Sequence, residues 1–293
     1  MIGKYQLLES IKNGNMFVGI DKETEKKVAI KYNSCENGYR ILKKRLKLLK
    51  DIKHNNMLTP FETIELENAI YAVYEYYPVI TLADYVEIKG NCTELEVRDI
   101  ARQLLSAYKE LIKNKMPHGN IKPQNILLVE RAPIEIKLCD FGIGIRRHNA
   151  DNPYISRELS GTLFKYSAEI WSIGAVLYFT INGVAPIWNS CNIYPMQREW
   201  QVSRTFSPHC IDFILRCLRY KKSKPWKIEK IERHMFLSEK VLKVIDCYPL
   251  EELKKEDMNA KYMELSKIAF GNYKCEYRYR IYLLLWEKRG CSS

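Results

Sequence analysis

Four short segments of the chain carry side chains that could act on a phosphorylated ligand. In chain order they are VAIK at Val28–Lys31, HGNIKPQN at His118–Asn125, CDFG at Cys139–Gly142 and IWSIG at Ile170–Gly174. They supply lysines, amides and a carboxylate, groups of the kind that hold phosphate oxygens and magnesium. Each segment alone is a weak signal, since three or four letters recur by chance. Their order along one chain makes the set specific.

Together the four segments resemble the signature set of the eukaryotic protein kinase superfamily, of the serine/threonine type, across residues 4–237. The resemblance implies an α+β, bilobal protein kinase fold. A small β-rich N-lobe would take about residues 4–77 and a larger helical C-lobe about residues 78–237. Residues 238–293 would form a helical extension packed on the C-lobe, the alternative being a separate partner-binding module.

The same resemblance implies roles for individual side chains. Lys31 would hold the α- and β-phosphates of ATP, and Lys122 would reach the γ-phosphate. Asn125 and Asp140 would hold magnesium, and Tyr76 would line the nucleotide pocket. The cofactor would then be ATP with magnesium. If Asn125 and Asp140 serve only as structural hydrogen-bonding residues, there is no cofactor.

The segment His118–Asn125 stands at the position of the family's catalytic loop and is called the catalytic loop below; it departs from the family pattern at two positions. Asn120 stands where kinases have the aspartate that accepts or orients the substrate hydroxyl proton, and an amide is not a base near neutral pH. Losing a general base typically costs ~10²–10⁴ in rate. Gly119 replaces the arginine that grips a phosphorylated activation loop, which argues against that form of regulation. We expect His118 to hydrogen-bond the backbone around the Asp140 turn rather than bind a metal.

A predicted basic helix carries the next departure. Counting back nine residues from His54 places Arg45 where kinases have the glutamate that pairs with the lysine equivalent to Lys31. Two cations cannot form that pair, and they repel each other in a low-dielectric cleft. A shifted alignment does not restore the pair, because Ile41 through Lys50 contain no acidic residue. We therefore expect the helix not to take the position it has in active kinases.

The glycine-rich phosphate loop is eroded. Aligned with the G-x-G-x-x-G pattern, Glu9 and Ile11 stand at the first two glycines, and Gly14 stands at the third. Glycine is needed where the backbone approaches phosphates, so the bulk of Ile11 and the charge of Glu9 oppose tight ATP binding. An ion pair between Glu9 and Lys31 is an alternative use of that carboxylate. Tyr74, at the gatekeeper position, would narrow the rear of the adenine pocket.

The segment that would present a protein substrate is incomplete. Only 28 residues separate Asp140 from Glu169, which stands where kinases place an aspartate on a buried helix. The Ala-Pro-Glu stretch of the family is absent, and Pro225 occupies the position of the arginine that would pair with its glutamate. We expect that a peptide substrate cannot dock in the usual manner.

Hydrophobic patterns predict the elements that position these residues. β-branched and aromatic residues predict strands at Lys26–Tyr32, Ala69–Tyr77 and Ile134–Cys139. Apolar residues at spacings of three and four predict the basic helix around Arg45. Thr93, followed three residues later by a glutamate, predicts a capping box at the start of another helix.

The overall composition is that of a folded domain. Of 293 residues, 46% are hydrophobic and 28% charged, which excludes wholesale disorder. Nine cysteines without a CxxC pair favour neither a zinc site nor a disulfide framework. The apolar run at residues 170–181 is too short to span a bilayer and indicates a buried helix. With no apolar signal core at the start of the sequence, we expect a cytoplasmic or nuclear protein.

The departures act in one direction and predict an inactive protein kinase, a pseudokinase, with a regulatory or scaffold role and at most weak ATP binding. Its partner would be a protein, such as an active kinase or its substrate complex. One alternative is a divergent, low-activity serine/threonine kinase that transfers the ATP γ-phosphate to protein with Lys122, Asn125 and Asp140. The other is a basic nucleic-acid-binding adaptor, which rests only on the net charge of +12.

Overall fold

Five antiparallel strands form a sheet in the N-terminal part of the computed structural model. They are β1 (Tyr5–Ile11), β2 (Met16–Asp21), β3 (Lys27–Ser34), β4 (Glu62–Leu66) and β5 (Ala69–Glu75), in the spatial order β1-β2-β3-β5-β4. β3 lies at the centre, hydrogen-bonded to β2 and β5. Val28 and Ile30 are buried on one face of β3, so Lys31 projects from the other. The strands predicted around β3 and β5 are confirmed.

The structure describes residues 1–11, 15–34, 39–66, 69–141, 152–155, 167–186, 206–218 and 228–238. Gly14, Gly142 and Pro225 lie outside these residues. The helical extension predicted for residues 238–293 also lies outside them, except for its first residue.

The basic helix predicted from the spacing of its apolar residues is α1 (Tyr39–Asp51). Leu42 and Leu46 are buried against β5, in a cluster that includes Tyr74. Arg45 lies between these two apolar positions and points toward the second lobe, where it contacts backbone carbonyls. The sheet and α1 together make up the N-lobe.

Helices dominate the second lobe, together with one hairpin. The helices are α2 (Leu82–Lys89), α3 (Glu94–Lys113), α4 (Ser167–Asn182), α5 (Pro208–Leu218) and α6 (Ile228–Glu232), and the hairpin strands are β6 (Ile126–Arg131) and β7 (Ile134–Leu138). α3 begins with the predicted capping box, in which Thr93 Oγ1 accepts from Glu96 N and the Glu96 carboxylate accepts from Thr93 N. The predicted α+β, two-lobed fold class is confirmed.

α4 is the helix predicted at residues 170–181, and it forms the centre of the C-lobe core. Trp171, Ile173, Val176 and Leu177 of α4 are buried against the surrounding helices. None of the described helices combines the length and the apolar character that crossing a membrane requires.

Two arginines of α3, which the sequence does not single out, hold the last part of the described C-lobe. The buried Arg98 donates from Nε to Phe236 O at 2.6 Å, and its guanidinium lies 5.2 Å from the Phe236 ring centre. Arg102 donates from Nη2 to Leu237 O at 2.7 Å. These bonds satisfy carbonyls of the 3-10 turn Met235–Leu237, where the kinase resemblance ends.

Gly174 determines how closely α4 approaches α5. A Cβ at this position would lie 2.6 Å from Cys217 Cβ and 3.2 Å from the Cys217 carbonyl carbon. We expect Gly174→Ala to lower the free energy of unfolding by about 1–3 kcal/mol, although alanine has the higher helix propensity by up to about 1 kcal/mol. Urea unfolding measures the change, with Ser172→Ala on the same helix as a control that costs about 1 kcal/mol or less. A gain in stability for Gly174→Ala would contradict the close approach.

Candidate functional site

Lys31, Asn120 and Asp140 meet where the two lobes face each other, and these three residues define the cleft. Lys31 comes from β3, Asp140 follows β7, and Asn120 lies in the loop after α3. Lys31 Nζ forms an ion pair with Asp140 Oδ1. Asn120 Nδ2 donates to the other oxygen, Asp140 Oδ2, at 3.1 Å. Asp140 is the acidic residue of the three, and each of its carboxylate oxygens therefore has a partner.

Backbone bonds between the catalytic loop and the end of β7 place Asp140. Cys139 N donates to Asn125 O at 2.9 Å, and Asn125 Nδ2 donates to Asn120 O at 2.9 Å. Asp140 itself has a left-handed φ of 58°. Burial is the largest single effect and opposes ionisation of Asp140, but the charge and hydrogen bond of Lys31, together with the charge of Lys122, hold the pKa of the carboxyl below its usual value.

His118 is a buried structural residue of the loop, as predicted. Its Nδ1 accepts from Asn120 N at 3.1 Å, and its Nε2 lies 3.2 Å from Cys139 O. The two contacts fit a neutral ring with the proton on Nε2. The ring packs on Phe141 with the centres 4.6 Å apart. Burial lowers the pKa of His118 to about 3, although the charge of Asp140 acts in the opposite direction.

Glu169 of α4 holds the catalytic loop from the C-lobe side. Its Oε1 accepts from Gly119 N at 2.6 Å. Gly119 has a φ of 79°, a conformation that glycine adopts without strain. Burial raises the pKa of Glu169 to about 7, while hydrogen bonds from the loop and the charge of Arg45 act to lower it. The α4 carboxylate therefore binds the amide side of this loop.

Arg45 of α1 holds the same loop from the N-lobe side. Its Nη2 donates to Pro117 O and, at 3.0 Å, to His118 O. Burial lowers the pKa of Arg45, and Glu169 acts against that shift. An arginine on α1 thus binds the carbonyls of the loop, and a carboxylate on α4 binds its amides. The sequence predicts only that Arg45 cannot pair with Lys31. Its actual acceptors are backbone carbonyls, which every residue has, so no side-chain pattern indicates them.

The alternative pairing of Lys31 with Glu9 is wrong. In the part of the chain that the structure describes, the carboxylate within ion-pair distance of Lys31 is that of Asp140. Glu9 is exposed on β1, where it pairs with Val18 of β2. Lys31 finds a nearer anion across the cleft, and the side chain of Glu9 stays in solvent.

The other predicted site residues lie around this centre. Lys122 is half-buried, and its charge contributes to the lowered pKa of Asp140. Tyr74 of β5 is buried against α1, where burial raises the pKa of its hydroxyl. Tyr76 follows β5 and is half-buried, with Lys27 Nζ 5.9 Å from its ring centre.

A magnesium ion at this site would compete with protein donors for the Asp140 oxygens. The described residues contain no group of three or more His, Cys, Asp or Glu side chains that could hold a metal. The Asp140 oxygens accept from Lys31 and Asn120, and the Asn125 amide nitrogen donates to the loop backbone, so Asn125 could offer a cation only its amide oxygen. A cation at Asp140 would have to displace an ammonium and an amide donor.

Comparisons with known proteins agree with this architecture. The SNF1-related protein kinase catalytic subunit alpha KIN12 of Arabidopsis thaliana is 27% identical over 225 residues, which cover 72% of this chain and 45% of that protein. Serine/threonine-protein kinase 36 of Pongo abelii is 28% identical over 204 residues, 63% of this chain and 15% of that protein. The chain thus spans less than half the length of either relative.

The fold itself matches a solved structure, Rad53 1–466 in complex with AMP-PNP. The TM-score is 0.68 at 21% identity, over 80% of this chain and 66% of the other. The family model for the protein kinase domain matches residues 10–237, well over half of the chain. Since that match runs from the first strand through the catalytic loop to the last described turn, the chain belongs to the protein kinase family.

Proposed function

We propose that this chain is a pseudokinase that keeps the kinase fold without transferring phosphate and acts as a regulatory or scaffold protein. One observation carries the proposal: the Asn120 amide donates to Asp140 Oδ2 at 3.1 Å. The position that must accept or orient the substrate proton therefore holds a hydrogen-bond donor directed at the neighbouring carboxylate. A general base normally contributes ~10²–10⁴ in rate, and no other described carboxylate joins this cluster.

The cleft would still bind ATP weakly. Lys31 and Lys122 place two ammonium groups near Asp140, and either can move to a phosphate oxygen. Tyr74 fills space behind the adenine position, and Ile11 replaces a glycine where the phosphates would approach β1. Two lysines therefore favour nucleotide binding while the altered walls limit its affinity.

The proposed partner is a protein, namely an active kinase or its substrate complex. Lys44, Lys47 and Lys50 are exposed on the outer face of α1, and their charge suits an acidic segment. The Arabidopsis relative is named as a catalytic subunit, so it works in an assembly. In this proposal residues 4–237 form the kinase domain, residues 238–293 pack on the C-lobe, and the protein acts in the cytoplasm or nucleus.

Transfer of labelled γ-phosphate from ATP to generic protein substrates and to the chain itself tests the proposal. We expect no transfer above that of the Asp140→Ala variant, because neither protein has a base at position 120. Transfer that disappears in Asp140→Ala would overturn it in favour of the divergent serine/threonine kinase. Binding to single-stranded nucleic acid that falls steeply with salt would instead favour the adaptor.

A further inference from the structure

We propose that the cleft binds a nucleoside triphosphate without a divalent cation, because the Asn120 amide already occupies one oxygen of the carboxylate that would hold the metal. The inference rests on the weak nucleotide binding proposed above and specifies its chemistry. It makes magnesium dispensable for binding, which is a property that can be measured without any phosphotransfer.

The Asp140 carboxylate already has a partner at each of its two oxygens. Lys31 Nζ is paired with Oδ1 and Asn120 Nδ2 donates to Oδ2 at 3.1 Å. Magnesium prefers oxygen ligands in near-octahedral order and gives up its water reluctantly. When Lys31 turns to a phosphate, Oδ1 is released, but Oδ2 keeps its amide donor. Asp140 then offers a cation one oxygen instead of two, and Asn125 offers at most its amide oxygen.

The orientation of the Asn120 amide is fixed by chemistry. If the amide were turned over, its oxygen would face the Asp140 carboxylate, and two acceptors would repel each other. Only the NH₂ group can face Oδ2. The Asn120 backbone supports this arrangement, since its carbonyl accepts from Asn125 Nδ2 at 2.9 Å and its N–H donates to His118 Nδ1 at 3.1 Å.

The charge around the cleft also favours a triphosphate without a metal ion. Asn120 in place of an aspartate removes one negative charge, and Arg45 in place of a glutamate exchanges a negative for a positive charge. Among the described residues around the cleft, the negative charges of Asp140 and Glu169 then face the positive charges of Lys31, Lys122 and Arg45. The balance is one excess positive charge, whether Lys31 is paired with Asp140 or with a phosphate. A site with this balance attracts triphosphate without the two positive charges that a magnesium ion would add.

Binding of a fluorescent ATP analogue (mant-ATP) to the full chain tests the inference, once with excess EDTA and once with millimolar magnesium chloride. We expect dissociation constants that agree within about threefold. The Asn120→Asp variant should behave differently, because a second carboxylate beside Asp140 repels phosphate and creates a cation site. For that variant we expect magnesium to tighten binding by about tenfold or more. Lys31→Met should lose binding under both conditions.

Asn55→Asp is the matched control, since it makes the same change at an exposed position away from the cleft and should leave both dissociation constants unchanged. Binding by the unmodified chain that is lost in EDTA would overturn the inference, and so would an absence of binding under both conditions. Neither outcome alters the proposed lack of catalysis, which is judged separately from labelled phosphate transfer. Transfer by the unmodified chain would overturn the proposed function while the EDTA comparison still decides the inference.

Discussion

Acidification from about pH 7 to about pH 4 should remove about 3 kcal/mol of stability through His118 alone. Burial lowers the pKa of this ring from 6.5 to about 3 in the folded protein. Between these two pH values, His118 is protonated in the unfolded chain and neutral in the folded chain. The contribution of His118 is therefore fully present above its unfolded pKa and is lost as the pH falls below about 6.5.

Urea unfolding of the unmodified chain and of His118→Gln at a series of pH values isolates this contribution. The variant will be less stable at neutral pH, because His118 bridges Asn120 N and Cys139 O. The expected result is that the difference in unfolding free energy between the two proteins shrinks toward acid pH. His54→Gln serves as the control, since His54 is only half-buried and should change the slope much less. Parallel pH curves for the unmodified chain and His118→Gln would contradict a neutral buried ring.

Glu169 acts with the opposite sign over part of the same range. Its pKa rises from 4.5 to about 7 on folding, so the folded state binds the extra proton and stability falls as the pH rises between these values. The total pH dependence of the unmodified chain is consequently flatter than either residue alone would produce. The comparison of variants, rather than the slope of one protein, is therefore the informative measurement.

The sequence predicts the fold well because hydrophobic periodicity and capping are local. The central strand around Lys31, the basic helix around Arg45 and the Thr93 capping box all follow from residues within one element, and the structure contains each of them. The apolar run of α4 is another local pattern, because a helix that is buried on every side needs apolar residues but no particular spacing between them.

The geometry of the site could be predicted only in part, since its contacts join residues far apart in sequence. The motifs placed Lys31 and Asp140 in one cleft, but their direct ion pair depends on the distance between the lobes, which no local pattern encodes. The bond from Asn120 to Asp140 follows from amide chemistry only after both positions are fixed in space. The carbonyl contacts of Arg45 had no signal, because every residue offers a backbone carbonyl.

Those contacts make Arg45 the structural link between α1 and the catalytic loop, and its removal is expected to lower stability strongly. In Arg45→Met the carbonyls of Pro117 and His118 lose a charged donor, and Glu169 loses the positive charge that acts on it. Hydrogen bonds to charged groups are each worth about 1.5–3 kcal/mol, and an unpaired buried carboxylate adds to the cost. We expect the free energy of unfolding to fall by about 2–4 kcal/mol.

Lys47→Met makes the same kind of change on the exposed face of the same helix and should alter stability by about 0.5 kcal/mol or less. Hydrogen exchange provides a second measurement. In Arg45→Met, relative to the unmodified chain, we expect the exchange rates of backbone amides to rise more in α1 and at Gly119 than in α5, whereas a general loss of stability would raise them in all three places. Equal costs for the two methionine variants would show that Arg45 does not hold the loop. If instead the cost is confined to Arg45, α1 is anchored to the catalytic loop by its own arginine. That anchor does not involve Lys31, which suits the proposed scaffold role because a nucleotide that engages Lys31 leaves the Arg45 contacts in place.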